Sequence, residues 1–347
     1  MTARERVIAA VDFAGPDRVP LRHCALPAAF AAHPWLPALY AKYRSDFTGN
    51  DPIAPTEMPL AYRVGRWTDA WGCEWTVAKE GLIGQVTGHP LADLADLPAY
   101  RLPPVEADWS APPGPLPRVD ERYLQLGSLS LFERMVSLCG FENVLLALGS
   151  GDARLLRLRD LIVERNLRVI AALLSADPDC LGFSDDWGSQ LALLIAPAMW
   201  RELFLPSYRR QFEPIRAAGK HVYFHTDGAT LSILPDLATA GVNLFWADLA
   251  LNPLADLRRV LGGKACFQAL TDVQFILPHG TPGEVRQHGR DILAALGSFD
   301  GGVIACTEVA ADQPRANVEA IYEVFCAEGE YPLRWVWDDA AGKAVAK

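Results

Sequence analysis

From about residue 120 onward, short apolar runs alternate with longer stretches of helical period. The runs are Tyr123–Ser128, Cys180–Ser184, His221–His225, Asn243–Trp246, Ala265–Ala269 and Val303–Cys306. They are too short for buried helices, and turn-forming residues bound them, so they read as strands. Between them, apolar positions recur at helical spacing over 131–147, 152–174, 197–218, 230–240, 253–261, 282–296 and 314–327. Repeated strand–helix units imply crossover connections and therefore a parallel sheet. Val19–Cys24 adds a strand after an N-terminal helix that stops at Gly15-Pro16-Asp17. With seven strands visible and room for one more, the pattern predicts a closed (β/α)8 barrel. An open doubly wound sheet is the alternative, and it would more often carry a Gly-rich phosphate turn after an early strand. No such turn is present in the sequence.

The stretch 26–120 has a different texture, rich in Pro, Trp and turns. Trp71–Val77 followed by Gly81–Val86 reads as a β-hairpin, and 101–118 as a Pro-rich extended loop. The expectation is one barrel domain over 1–347, with 26–120 inserted after the first strand. That insertion would lie over the barrel mouth as a lid or a partner-docking surface.

In such barrels the functional groups gather at the C-terminal ends of the strands. The polar residues there are Arg22, His23 and Cys24; Ser128; Asp185 and Asp186; His225 and Asp227; Asp248; Gln268; Cys306 and Glu308. Side chains alternate along a strand, so His225 and Asp227 face one side, as do Cys306 and Glu308. The two pairs would converge if their strands share a sheet. Each also has a plainer reading: a His–Asp hydrogen bond closing a strand, a core thiol at Cys306, a loop cap at Glu308, and turn acceptors at Asp185 and Asp186.

Composition narrows the function classes. The chain has 347 residues, 50% of them hydrophobic and 21% charged, as befits a globular protein with a large core. A net charge of −10, with no clustered Lys/Arg run, argues against a nucleic-acid face. No apolar run reaches the roughly 18 residues of a membrane span, and no signal-peptide core follows Met1. Seven scattered cysteines without CxxC pairs fit a reducing cytoplasm, which is the expected location.

Several motifs, in order, resemble the uroporphyrinogen decarboxylase superfamily, which also contains methyltransferases that work with corrinoid proteins. They are Thr2-Ala3-Arg4-Glu5-Arg6-Val7 through Pro16-Asp17-Arg18-Val19-Pro20, Asp69-Ala70-Trp71-Gly72, Leu131-Phe132-Glu133-Arg134 with Gly140-Phe141-Glu142-Asn143, Asp185-Asp186-Trp187-Gly188, the strand Gly219 to Gly228, and Pro314-Arg315-Ala316-Asn317. The resemblance implies a (β/α)8 barrel. The decarboxylases carry an Arg-Gln-Ala-Gly-Arg clamp after the first strand, whereas this chain has Arg22-His23-Cys24-Ala25-Leu26. The methyltransferase branch holds zinc through His-x-Cys and a later Cys. His225 matches the His, Asp227 stands where that Cys would be, and Cys306 lies in the strand of the later Cys.

The resemblance therefore implies metal ligands among His225, Asp227, Cys306 and Glu308, and catalytic carboxylates at Asp185, Asp186 and Asp248. It implies substrate contacts from Arg22, His23, Trp71, Gln190 and Gln268. Zinc would act as Lewis acid on a small O- or N-methylated substrate, and cobalamin would arrive on a partner corrinoid protein. A homodimer is also expected. The alternatives are a uroporphyrinogen-type decarboxylase and a metal-free barrel that binds a small molecule.

Overall fold

The computed structural model describes residues 1–50, 58–108 and 121–347. Twelve strands occur among them. They are β1 (Leu21–Ala25), β2 (Gly65–Thr68), β3 (Glu74–Val77), β4 (Gln85–Gly88), β5 (Gln125–Leu129), β6 (Cys180–Ser184), β7 (His221–Thr226), β8 (Leu244–Ala247), β9 (Cys266–Leu270), β10 (Val303–Val309), β11 (Trp335–Asp338) and β12 (Lys343–Ala346). Seven form one parallel sheet in the order β1-β10-β9-β8-β7-β6-β5, curled in the manner of a (β/α)8 barrel. The helices between them cover its outer face. Both faces of such a sheet are buried, which is why β8 and β9 are buried at every position.

The eighth position of the ring lies within the stretch read as insertion. Asp46 N–H donates to the Leu21 carbonyl (2.8 Å), Tyr123 N–H to that of Asp46 (3.0 Å), and Thr48 N–H to that of Tyr123 (2.9 Å). Residues 46–48 thus link the start of β1 to the approach to β5 and complete the ring at its floor. Phe47 points into the interior beside Tyr123, at 5.3 Å between rings. The inserted segment proper follows this short link.

Alternation along the strands makes two cores. Tyr123, Cys180, Tyr223, Leu244, Trp246, Cys266, Ile304 and Cys306 fill the barrel interior. Their strand neighbours Phe183, Val222, Phe224, Phe245 and Phe267 face the helices. The helix Ala3–Val11, opened by a Thr2/Glu5 capping box, plugs the floor with Val7 and Val11.

Three local differences from the sequence reading have physical causes. The stretch 131–147 is two helices, Phe132–Cys139 and Phe141–Ser150, because Gly140 adopts φ +90° between them. The expected hairpin near 72–88 is a three-stranded antiparallel sheet, with β2 added to β3 and β4. It docks on the helix Pro27–Ala32 at Gly81, where a Cβ would meet Ala28 at 2.8 Å. A C-terminal hairpin, β11–β12, covers the helix Pro282–Leu296; its strands are only four residues long, too short for a sequence signal. The Pro-rich loop read over 101–118 lies outside the described residues beyond 108. Among the described residues no helix is long and apolar enough to cross a membrane.

Candidate functional site

The site forms where the loops after β6 and β7 are tied together. Asp185 N–H donates to the His225 carbonyl (3.1 Å), Gly188 N–H to that of Asp227 (3.1 Å), and Ala229 N–H to that of Ser189 (2.9 Å). Backbone touches backbone here. A Cβ on Gly228, whose φ is +83°, would lie 2.3 Å from the Gly188 carbonyl carbon, and one on Gly188 would lie 2.5 Å from Ala229 N. The glycines of Asp-Trp-Gly and His-x-Asp-Gly therefore serve one close approach. Asp186 Oδ1 accepts from the Asp227 N–H at 3.0 Å, which carries the β6 carboxylate over to β7.

Asp186, His225 and Asp227 meet there, with one donor atom from each within 4.8 Å of the others. His225 Nε2 lies 3.4 Å from Asp227 Oδ1 and 3.6 Å from Asp186 Oδ1. The imidazole is stacked on Trp246 at 5.3 Å and 19°. Burial disfavours the imidazolium, but the Asp227 hydrogen bond and the Asp227, Asp186 and Glu308 charges outweigh it, so the His225 pKa is raised. Burial alone would raise Asp227; its hydrogen bond and charge pairing with His225 hold it below the ordinary value. Asp186 is raised by burial and by Asp227. Two carboxylates and an imidazole at these separations suit a divalent cation, with room left for further ligands.

A cavity of about 410 Å³ opens beside this cluster, lined by Gln190, His225, Asp227, Trp246, Asp248, Leu270, Val273, Gln274 and Glu308 among others. No Lys or Arg lines it among the described residues. Asp248 accepts from Gln274 Nε2 (3.0 Å) and Ala250 N–H (3.0 Å). Burial, and then the charges of Asp227 and Asp272, raise its pKa. Glu308 accepts from Cys24 Sγ (3.5 Å) and is raised by burial and by Asp227.

The other predicted positions are spread more widely. Asp185 is buried and turned from the cavity. It accepts from Leu131 N–H (2.9 and 3.0 Å), Glu133 N–H (2.8 Å) and Tyr208 O–H (2.7 Å), so it caps the helix Phe132–Cys139. Burial still pushes it up to about 7. Cys306 faces inward but is fully buried, and burial pushes its thiol up to about 12. Arg22 lies at the same register. It donates through Nη1 to Gln268 Oε1 (2.6 Å) and Gln125 Oε1 (3.0 Å), forming a polar floor inside the barrel. His23 alternates outward and meets Tyr322 O–H through Nδ1 (3.0 Å), on the helix side of the sheet. Trp71 lies between the guanidinium groups of Arg134 and Arg165 (4.4 and 4.5 Å) and lines a separate cavity with Ser128 and Ser130.

Glu133 is the residue that site reasoning from the sequence passed over. Burial, then the charges of Asp185 and Asp186, push its carboxyl up to about 8. Its signal was the Leu-x-Glu-Arg motif, but its nearness to His225 depends on how Asp185 anchors the helix.

Residues 125–325, more than half of the chain, match the uroporphyrinogen decarboxylase (URO-D) family model. No curated protein matches the sequence. Among solved structures the fold is similar to a methyltransferase from Methanosarcina mazei, 17% identical, covering 94% of this chain and 99% of that one with a TM-score of 0.67. A dihydropteroate synthase from Xanthomonas albilineans is 14% identical over 60% of this chain and 71% of its own, with a TM-score of 0.35. The first likeness is one of fold; the second is too slight to carry an argument.

Proposed function

The chain belongs to the uroporphyrinogen decarboxylase family, and on that premise we propose that it is a methyltransferase. It moves a methyl group between a small O- or N-methylated substrate and a corrinoid protein that carries the cobalamin, with a divalent metal, zinc in the first instance, at the barrel mouth. The observation that carries this reading is the acidic mouth. Asp227, Asp248 and Glu308 line the cavity around His225, Asp186 adjoins them, and among the described residues no Lys or Arg faces them. A carboxylate-rich porphyrinogen would be repelled there, while the inward Arg22 is engaged by Gln125 and Gln268. The similarity in fold to a named methyltransferase adds support.

His225 and Asp227 would hold the metal, which when bound supplies Lewis acidity at the methylated heteroatom. The remaining work falls to the chain. Trp246, stacked on His225, fixes the plane of the ring. Leu270 and Val273 give the methyl end of the substrate an apolar wall, and Gln190 and Gln274 offer it amide groups. Asp248, raised by burial, is suited to give a proton to the departing heteroatom. Asp185 acts at a distance by anchoring the helix that carries Glu133.

The test is methyl transfer to a corrinoid protein reduced to the cob(I)alamin state, followed by the change in its visible spectrum. A panel of methoxy and N-methyl compounds would be offered as donors. A spectral shift with at least one donor, abolished by His225→Ala, is the expected result. No transfer from any donor, together with carbon dioxide release from uroporphyrinogen, would reverse the reading in favour of a decarboxylase.

A further inference from the structure

We infer that the cation of this mouth is held by oxygen and nitrogen alone, from Asp186, His225 and Asp227, and that no thiolate of the chain takes part. The inference rests on the metal reading above and supplies its third donor, from β6 instead of β10. The donor atoms of these three residues converge within 4.8 Å, and they come from two loops that the Gly188–Gly228 contact holds in one arrangement. The buried indole N–H of Trp246 has no partner at full hydrogen-bond geometry, yet it is near enough to the Asp227 carboxylate to help hold that group's pKa down. It is a donor left over for a carboxylate oxygen that a bound cation would orient.

The thiols are placed elsewhere. Cys306 is sealed in the barrel interior with Ile304 and Cys266. Cys24 stands opposite Glu308 in the β1–β10 register and donates its S–H to that carboxylate. Neither sulfur belongs to the group of donor atoms that converge within 4.8 Å, which among the described residues is Asp186, His225 and Asp227. Glu308 accepts that S–H and stands outside the three converging donors, although it lines the same cavity. Two carboxylates and a neutral imidazole balance a divalent charge, and oxygen–nitrogen sets of this kind take first-row divalent ions without needing a soft ligand.

Co²⁺ is the probe, because its absorption separates sulfur ligands from oxygen and nitrogen ones. The whole protein should take up about one Co²⁺ per chain, without a sulfur-to-cobalt charge-transfer band. Asp186→Asn, which keeps an oxygen for the Asp227 N–H, should weaken Co²⁺ binding by about 100-fold or more, at or beyond the effect of losing an outer partner of a ligand. Cys24→Ala and Cys306→Ala should change it by less than the roughly 10-fold that loss of an outer partner costs. A sulfur band that vanishes in either cysteine variant, unchanged affinity in Asp186→Asn, or no Co²⁺ uptake would each overturn the inference. A sulfur band with methyl transfer intact would sink this ligand set and leave the methyltransferase reading standing. An oxygen–nitrogen spectrum without methyl transfer would do the reverse.

Discussion

Two places on the barrel rim look alike as sequence: His225-x-Asp227 at the end of β7, and Cys306-x-Glu308 at the end of β10. Both put two reactive groups on the inner face, yet they end in different chemical states. At β7 a neighbouring loop is locked alongside, brings Asp186, and leaves the group half exposed, so that His225 and Asp227 each favour the other's charged form. At β10 the neighbour is β1, which brings the thiol of Cys24 against Glu308, and burial pushes both thiols and the carboxyl upward. Spacing decides which way a side chain points. The next strand and the depth of burial decide what it can do.

The comparison breaks most sharply at the glycine contact. Gly228→Ala puts a Cβ against the Gly188 backbone at positive φ. It should cost about 3 kcal/mol or more in a denaturant titration, with loss of metal uptake. His225→Ala should lower metal affinity by about 100-fold or more while leaving the denaturation midpoint nearly unchanged, as measured by competition with a chelator dye.

A third prediction concerns pH. Asp185 and Glu133 have folded-state values raised to about 7 and about 8, above their ordinary 3.8 and 4.5. Their contribution to stability is therefore full below about pH 4 and is lost as pH rises through 7 and 8. Stability should fall over that window by at most about 1.4 kcal/mol per pH unit for each group. Glu133→Gln should flatten the upper part of the profile in denaturation at pH 5, 7 and 9. The smallest effect is expected at the β10 side. Cys306→Ala should cost about 1–2 kcal/mol through lost packing, with metal uptake unchanged.

Much of this was legible in the sequence because periods survive folding. The six apolar runs past residue 120 all became barrel strands, displaced at their ends by two residues or fewer except β10, which runs three residues further. The shared face of His225 and Asp227 followed from a period of two. What could not be read depends on contacts between distant segments. The link at 46–48 spans the barrel gap with three backbone hydrogen bonds and carries no periodic pattern. Asp185 and Asp186 are adjacent, yet one anchors a helix and the other faces His225, because alternation sends them to opposite sides. His23 is turned away from the mouth by the same rule, toward Tyr322.

In the proposed function, His225 and the carboxylates beside it make the mouth a metal-dependent site. Elemental analysis of freshly purified protein and of His225→Ala tests it most directly. About one divalent metal per chain is expected in the parent and none above background in the variant; absence of metal from both, or equal metal in both, would show that His225 holds no metal.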